Sequence, residues 1–200
     1  EKNELADMPE VQDLIGLLDV LVSPAHNLSL ARALKSPLFG ISDADLVQLV
    51  LCQRVLQAAA TAVPGSANAA AAGAANVPIP WLQVLQTATD LPPALAQVGA
   101  TLALWKGWVG SLPPHDALSA IYHHGDVLAR YAAATAPHQR DSVLANLRAL
   151  LAAALQVDGG RYTTAYGLVR ALRAGGNRAP VRADTLAVRL LTIHGAKGLE

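Results

Sequence analysis

The stretch LAVRLLTIHGAKGLE, residues 186–200, decides how the rest of the chain is read. Leu186 to His194 is dense in aliphatic and β-branched side chains and too short for a buried helix, which predicts a strand. The strand runs into Gly195 and Gly198, and a strand delivering a glycine-containing turn is half of a βα unit. Such a unit needs parallel neighbours, which the helical residues ahead of it do not supply. The expectation is a helical body joined to the beginning of an α/β domain, within a longer polypeptide. Gly195 and Gly198 let backbone amides approach a phosphate with no Cβ in the way, while Thr192, His194 and Lys197 supply hydroxyl, imidazole and ammonium donors. An ordinary strand-loop-helix turn with a solvated lysine would use the same residues.

Upstream, the helical pattern is continuous. Val11, Leu14, Ile15, Leu17, Leu18, Leu21 and Val22 recur at three and four, the stripe of an amphipathic helix that stops near Ser23-Pro24. Asn27 is placed to cap a short second helix through Leu34, ended by Ser36-Pro37. After the turn Leu38-Phe39-Gly40, Ser42 opens Ser-Asp-Ala-Asp, a capping-box-like start with Asp43 and Asp45 at the positive end of the dipole, for a helix to about Ala60. Residues 61–80, TAVPGSANAAAAGAANVPIP, hold little to bury and predict a surface loop or flexible insertion. Further helices are predicted at 80–89, 92–109, 114–123, 126–135, 138–157 and 164–174, the first two with proline at the tolerated first turn. Asp158-Gly159-Gly160 and Gly175-Gly176 are the stop signals of the last two.

Composition agrees. Of 200 residues, 40 are Ala and only 4% are aromatic, so the 52% hydrophobic content reads as an Ala/Leu-rich helical protein. With 15 basic and 15 acidic residues the chain is neither a basic nucleic-acid arm nor an acidic disordered tail. The charge is uneven, three basic against eight acidic over 1–50 and seven against two over 161–200, which favours the last forty residues for phosphate contact. One cysteine, Cys52, excludes an intramolecular disulfide framework and a multi-cysteine zinc site, and fits a reducing compartment. No run of about 18 apolar residues appears, and Glu1 to Glu10 is acidic where a secretory signal is basic, so a soluble, cytoplasmic protein without a membrane partner is expected.

The string TIHGAKGLE, residues 192–200, resembles motif V of the superfamily 1A helicases, the UvrD/Rep/RecB-like group, and HGAKGLE is most like the AddA and RecB nuclease-helicase subunits. Residues 10–46, EVQDLIGLLDVLVSPAHNLSLARALKSPLFGISDADL, resemble the stretch after motif IV, where a helical accessory subdomain called 2B is inserted into the second RecA-like domain. The resemblance implies a mainly α chain: a helical 2B-type subdomain over 1–180, then the returning RecA-like (P-loop NTPase) 2A segment over 181–200, with a short β-strand and motif V. It implies that Thr192, His194, Gly195 and Lys197 lie at the translocating single strand, and that Gly198 and Glu200 lie near the nucleotide. Gly40-Ile41-Ser42 matches the family's Gly-Ile-Gly turn, which touches duplex backbone. Here Ser42 replaces the last glycine, and either a phosphate contact or a simple helix cap follows from a serine there.

The function so implied is part of an ATP-dependent DNA helicase/exonuclease acting in double-strand break repair. The whole protein would use ATP and Mg²⁺, bind single- and double-stranded DNA, and pair with an AddB/RecC-like second subunit. The piece itself is expected to bind no cofactor and to be inactive, because no GxxxxGK[ST] pattern occurs in it and Lys197 is therefore no phosphate-loop lysine. The alternative is a non-catalytic helical module that binds duplex DNA or a partner subunit. Other candidates read as structural. His115, His123 and His124 have no ligand spacing for a metal and are expected at exposed helix ends. Trp81, Trp105 and Trp108 are expected as core or interface anchors, and Arg161, Arg170, Arg173, Arg178 and Arg182 as solvated helix faces or phosphate contacts.

Overall fold

A computed structural model describes residues 3–61, 77–157 and 164–180. The predicted strand and glycine turn, with Thr192, His194, Gly195, Lys197, Gly198 and Glu200, lie outside the described residues, as do most of the predicted 61–80 loop, Arg161 and Arg182. The described chain is mainly α-helical, and its β structure is one isolated antiparallel bridge between Glu4 and Arg178.

The helices are α1 (Pro9–Val22), α2 (Asn27–Lys35), α3 (Asp43–Thr61), α4 (Trp81–Thr87), α5 (Pro93–Ser111), α6 (Pro114–His124), α7 (Val127–Ala134), α8 (Pro137–Gln156) and α9 (Ala165–Ala174), preceded by a 3-10 turn at Leu5–Asp7. Pro9, Pro93, Pro114 and Pro137 each open a helix, where a missing N–H costs no hydrogen bond and a fixed φ is already helical. Ser42 caps α3 as expected. Its hydroxyl accepts the Asp45 amide proton at 3.1 Å and donates to the Asp45 carboxylate at 2.6 Å. Thr164 caps α9 by accepting from the Gly167 amide at 3.0 Å.

Asn27 does not cap α2. It is the first residue of that helix, and its carboxamide oxygen accepts the Trp81 amide proton at 3.0 Å. Trp81 heads α4 directly behind Pro80, so Asn27 satisfies an orphan donor of a different helix and fastens α2 to α4.

The helix read as an amphipathic stripe is buried far more widely than a stripe. Glu10, Gly16, Asp19 and Val20 are buried along with the apolar positions, because α1 runs through the middle and packs on α2, α5, α8 and α9. Its three carboxylates are each met from another helix. Glu10 accepts from Asn146 of α8 at 2.7 Å, and Asp13 from Arg32 of α2 and Tyr131 of α7, both at 3.0 Å. Asp19 accepts from Ser29 of α2 at 2.8 Å and Arg173 of α9 at 2.9 Å, with His26 Nδ1 also at 2.8 Å. Apolar packing tolerates sliding, whereas these directional bonds single out one neighbour at each height of α1.

The first and last described segments lie side by side. The Leu5 amide donates to the Asn177 carbonyl at 2.7 Å, the Ala179 amide to the Asn3 carbonyl at 3.0 Å, and the Gly176 amide to the Glu4 carboxylate at 2.9 Å.

At Gly99 the α4 and α5 backbones come together: a Cβ there would collide with the Leu85 carbonyl oxygen and stand 3.1 Å from its carbon. Neither is the far end of a flexible side chain, so Gly99→Ala must push two helices apart. The expected loss is about 1–3 kcal/mol, read as a lower urea midpoint at unchanged m-value. Gly107→Ala, on the same helix with open space around it, is the control and should be neutral or slightly stabilising.

Candidate functional site

The described part of the sequence-predicted site is the turn joining α2 to α3. Gly40 is exposed and left-handed, with φ of 63°, and a Cβ there would meet nothing, so glycine is held by backbone conformation and not by space. Ile41 is buried and Ser42 exposed.

The turn spends its donors on itself. The Phe39 and Gly40 amides donate to the Ser36 carbonyl at 3.1 and 2.8 Å, and the Ile41 amide to the Leu34 carbonyl at 2.9 Å. The Ser42 hydroxyl is committed to Asp45, while Asp43 pairs with Lys35 at 2.6 Å. Hydrogen-bond capacity at Gly40-Ile41-Ser42 therefore serves the α2–α3 junction, and the carboxylates of Asp43 and Asp45 stand beside it.

Behind the turn lies a hollow of about 220 Å³, walled by Leu38, Phe39 and Ile41 on one side and by α5, His124, Gly125 and Arg130 on the other. Trp105 forms its floor, 1% exposed, its ring 5.6 Å from Phe39 and 5.9 Å from His124. Its indole N–H donates to His124 Nδ1 at 3.2 Å, and the Trp108 ring stands edge-on to the same imidazole with centroids 5.4 Å apart. Arg130 donates from Nη1 to the Leu38 carbonyl at 3.1 Å, which ties α7 to the turn.

Trp105 is the core anchor expected of it, and Trp81 is half-buried with its indole N–H on Gln53 at 3.0 Å. His124 is exposed at the end of α6 as expected, and its ring also meets Trp105 and Trp108. His115 pairs with Asp116 at 3.1 Å. Among the loose arginines, Arg173 is bound to Asp19 and Arg170 is exposed. The meeting of Trp105, His124 and Arg130 is invisible to local spacing, since its hydrogen bonds join residues 19 and 92 positions apart.

At the far end of α1 the Asp19 carboxylate is buried. Burial alone would raise its pKa, but hydrogen bonds from Ser29, His26 and Arg173, with the guanidinium charge, outweigh it and hold the group below its ordinary 3.8. Among the described residues, no group of three or more His, Cys, Asp or Glu side chains could hold a metal ion, and no helix is long and apolar enough to cross a membrane.

No family model matches the chain. Two curated proteins resemble it over nearly its whole length. An ATP-dependent helicase/nuclease subunit of the AddA type, from Levilactobacillus brevis, is 27% identical over 204 positions, covering 96% of this chain and 15% of that protein. The protein of the same name from Heliobacterium modesticaldum is 31% identical over 209 positions, covering 96% of this chain and 13% of its own length. The chain is thus distantly homologous to the AddA-family helicase/nucleases and spans about one-seventh of the relatives it matches.

Proposed function

We propose that the chain is the helical 2B-type accessory subdomain, with the returning strand and motif V, of an ATP-dependent helicase/exonuclease subunit that unwinds and processes DNA ends. The observation that carries this reading is the pairing of residues 3–5 with 177–179. An excursion from a motor domain must leave and rejoin its host at neighbouring points, and a body whose two ends are hydrogen-bonded together can be inserted without distorting the host. The sequence that follows contains TIHGAKGLE, residues 192–200, which resembles motif V.

In this reading Thr192, His194, Gly195 and Lys197 contact the translocating strand, and Gly198 and Glu200 lie near the nucleotide. ATP with Mg²⁺ supplies the hydrolysis that drives the motor. The residues of this chain do not make a complete site for them: the phosphate-loop pattern is missing from the sequence, and the described helices gather no metal-binding cluster. Those groups would be held chiefly by other parts of the parent. This chain's contribution is to place duplex backbone against the turn face of the helical body and to grip single-stranded DNA through the loop after its strand.

The outer face of α3 favours a second reading as a docking module for a partner subunit. Val47, Leu51 and Val55, spaced by four, are 56%, 44% and 68% exposed. The two readings coexist if α3 faces the partner and the turn faces DNA.

Residues 1–200 alone should show no ATPase activity above background, whereas the full-length protein should show DNA-stimulated hydrolysis. In the full-length protein His194→Ala or Glu200→Ala should impair unwinding while circular dichroism stays unchanged. Unaltered unwinding in both variants would remove those two roles, and a full-length protein without DNA-stimulated ATPase would remove the motor itself.

A further inference from the structure

We infer that the duplex-backbone contact on this face is made by Arg130 and His124, at the hollow behind the turn, and not by the turn's own amides or Ser42. The inference rests on the duplex-contact reading above and assigns it to residues outside the resembling motif. The Phe39, Gly40 and Ile41 amides point inward to carbonyls, and the Ser42 hydroxyl is held by Asp45. A phosphate arriving at the turn would find these donors occupied, with the Asp45 carboxylate on the Ser42 hydroxyl and the nearby Lys35 ammonium already paired with Asp43.

The hollow has the opposite character. No carboxylate lines it, and its polar wall consists of Gln97, Thr101, His124 and Arg130. Arg130 makes no ion pair among the described residues. One of its nitrogens is anchored on the Leu38 carbonyl, which leaves the rest of the guanidinium fork for an oxyanion. His124 is set as a donor by its neighbours. An indole N–H can only donate, so Nδ1 is the acceptor and Nε2 is left as the donor. Trp105 beneath and Trp108 at the edge hold the imidazole in place. An imidazole donor and an anchored cation at one concave site lined by no carboxylate fit a singly charged phosphodiester. Their position on α6 and α7 explains why a motif confined to the α2–α3 turn would not contain them.

The test measures binding of a short blunt-ended DNA duplex to the full-length protein over a salt series. Arg130→Gln should weaken binding about fivefold at low salt and reduce the slope of log K against log salt by about 0.9, the signature of one lost phosphate contact. Arg130→Lys keeps the charge and should keep the slope. His124→Asn retains an acceptor for the Trp105 indole and should weaken binding about twofold with the slope unchanged. Ser42→Ala should leave both quantities as they are.

If Arg130→Gln binds like the wild type while Ser42→Ala weakens binding, the duplex reading stands and this assignment falls. If none of the variants changes affinity or slope, the assignment likewise falls. Duplex binding by the wild type that is indifferent to salt would overturn the duplex reading itself.

Discussion

Trp105→Ala should cost about 3–5 kcal/mol, the range for emptying a well-packed aromatic site. At roughly 2–4 °C per kcal/mol for a body of this size, the thermal midpoint should fall by about 6–20 °C. Trp105 is 1% exposed and touches Phe39 from the α2–α3 turn and His124 from α6, so its removal opens a void where three parts of the fold meet. Collapse cannot fill it easily: the Gly125 Cα proton lies against the indole, with a Cβ there only 3.1 Å from the ring, and the Phe39 segment is held by the Ser36 carbonyl. Trp105→Phe separates packing from polarity. It keeps an aromatic floor and loses the indole N–H, and His124 is exposed enough for water to replace that bond, so the loss should be about 1–2 kcal/mol. A Trp105→Ala loss below about 1 kcal/mol in urea titrations would show that this residue does not hold the turn and α6 together.

The limits of sequence reading are local in origin. The start of α5 was legible at Pro92-Pro93, because a proline's fixed φ and missing N–H act within one turn. Ser42 was legible for the same reason, since its partner Asp45 is three residues away. Asn27 looked like a cap by the same local rule, yet its oxygen serves Trp81, 54 positions on. Periodicity reports which face of α1 is apolar but not how many helices surround it, so the burial of Glu10 and Asp19 follows only from their donors on α8, α2 and α9. Of the candidate site, Gly40 could be read from the turn it must make. Arg130 and His124 could not, since neither has a local pattern that distinguishes it from a solvated side chain. The pairing of residues 3–5 with 177–179, on which the insertion reading rests, is a contact between distant segments and has no signature in either.

Removing the Asp19 carboxylate should be the next most damaging change. Its side chain is 7% exposed and takes hydrogen bonds from Ser29 and Arg173, with His26 Nδ1 beside it. Breaking a fully buried ion pair from one side typically costs about 3–5 kcal/mol. Arg173 and His26 are each about half exposed and can turn to water, which lowers the expectation for Asp19→Asn to about 2–3 kcal/mol. The pH dependence identifies the cause. Because the folded carboxyl titrates below its ordinary 3.8, the native state binds fewer protons than the unfolded chain in that range. The stabilisation is present in full above about pH 5 and is lost as pH falls through the folded value. Asp19→Asn lacks that ionisation, so the difference between wild type and variant should be largest above about pH 5 and shrink as the pH falls below the ordinary 3.8. A difference that stays constant over this range would show that size or shape at position 19, and not the charge, sets the cost. α9 offers an independent readout: Arg173 is its tether to α1, and α9 is the last helix before residues 181–200. Amide exchange in Leu168–Leu172 should therefore accelerate in Asp19→Asn more than in the middle of α5, which does not depend on this carboxylate.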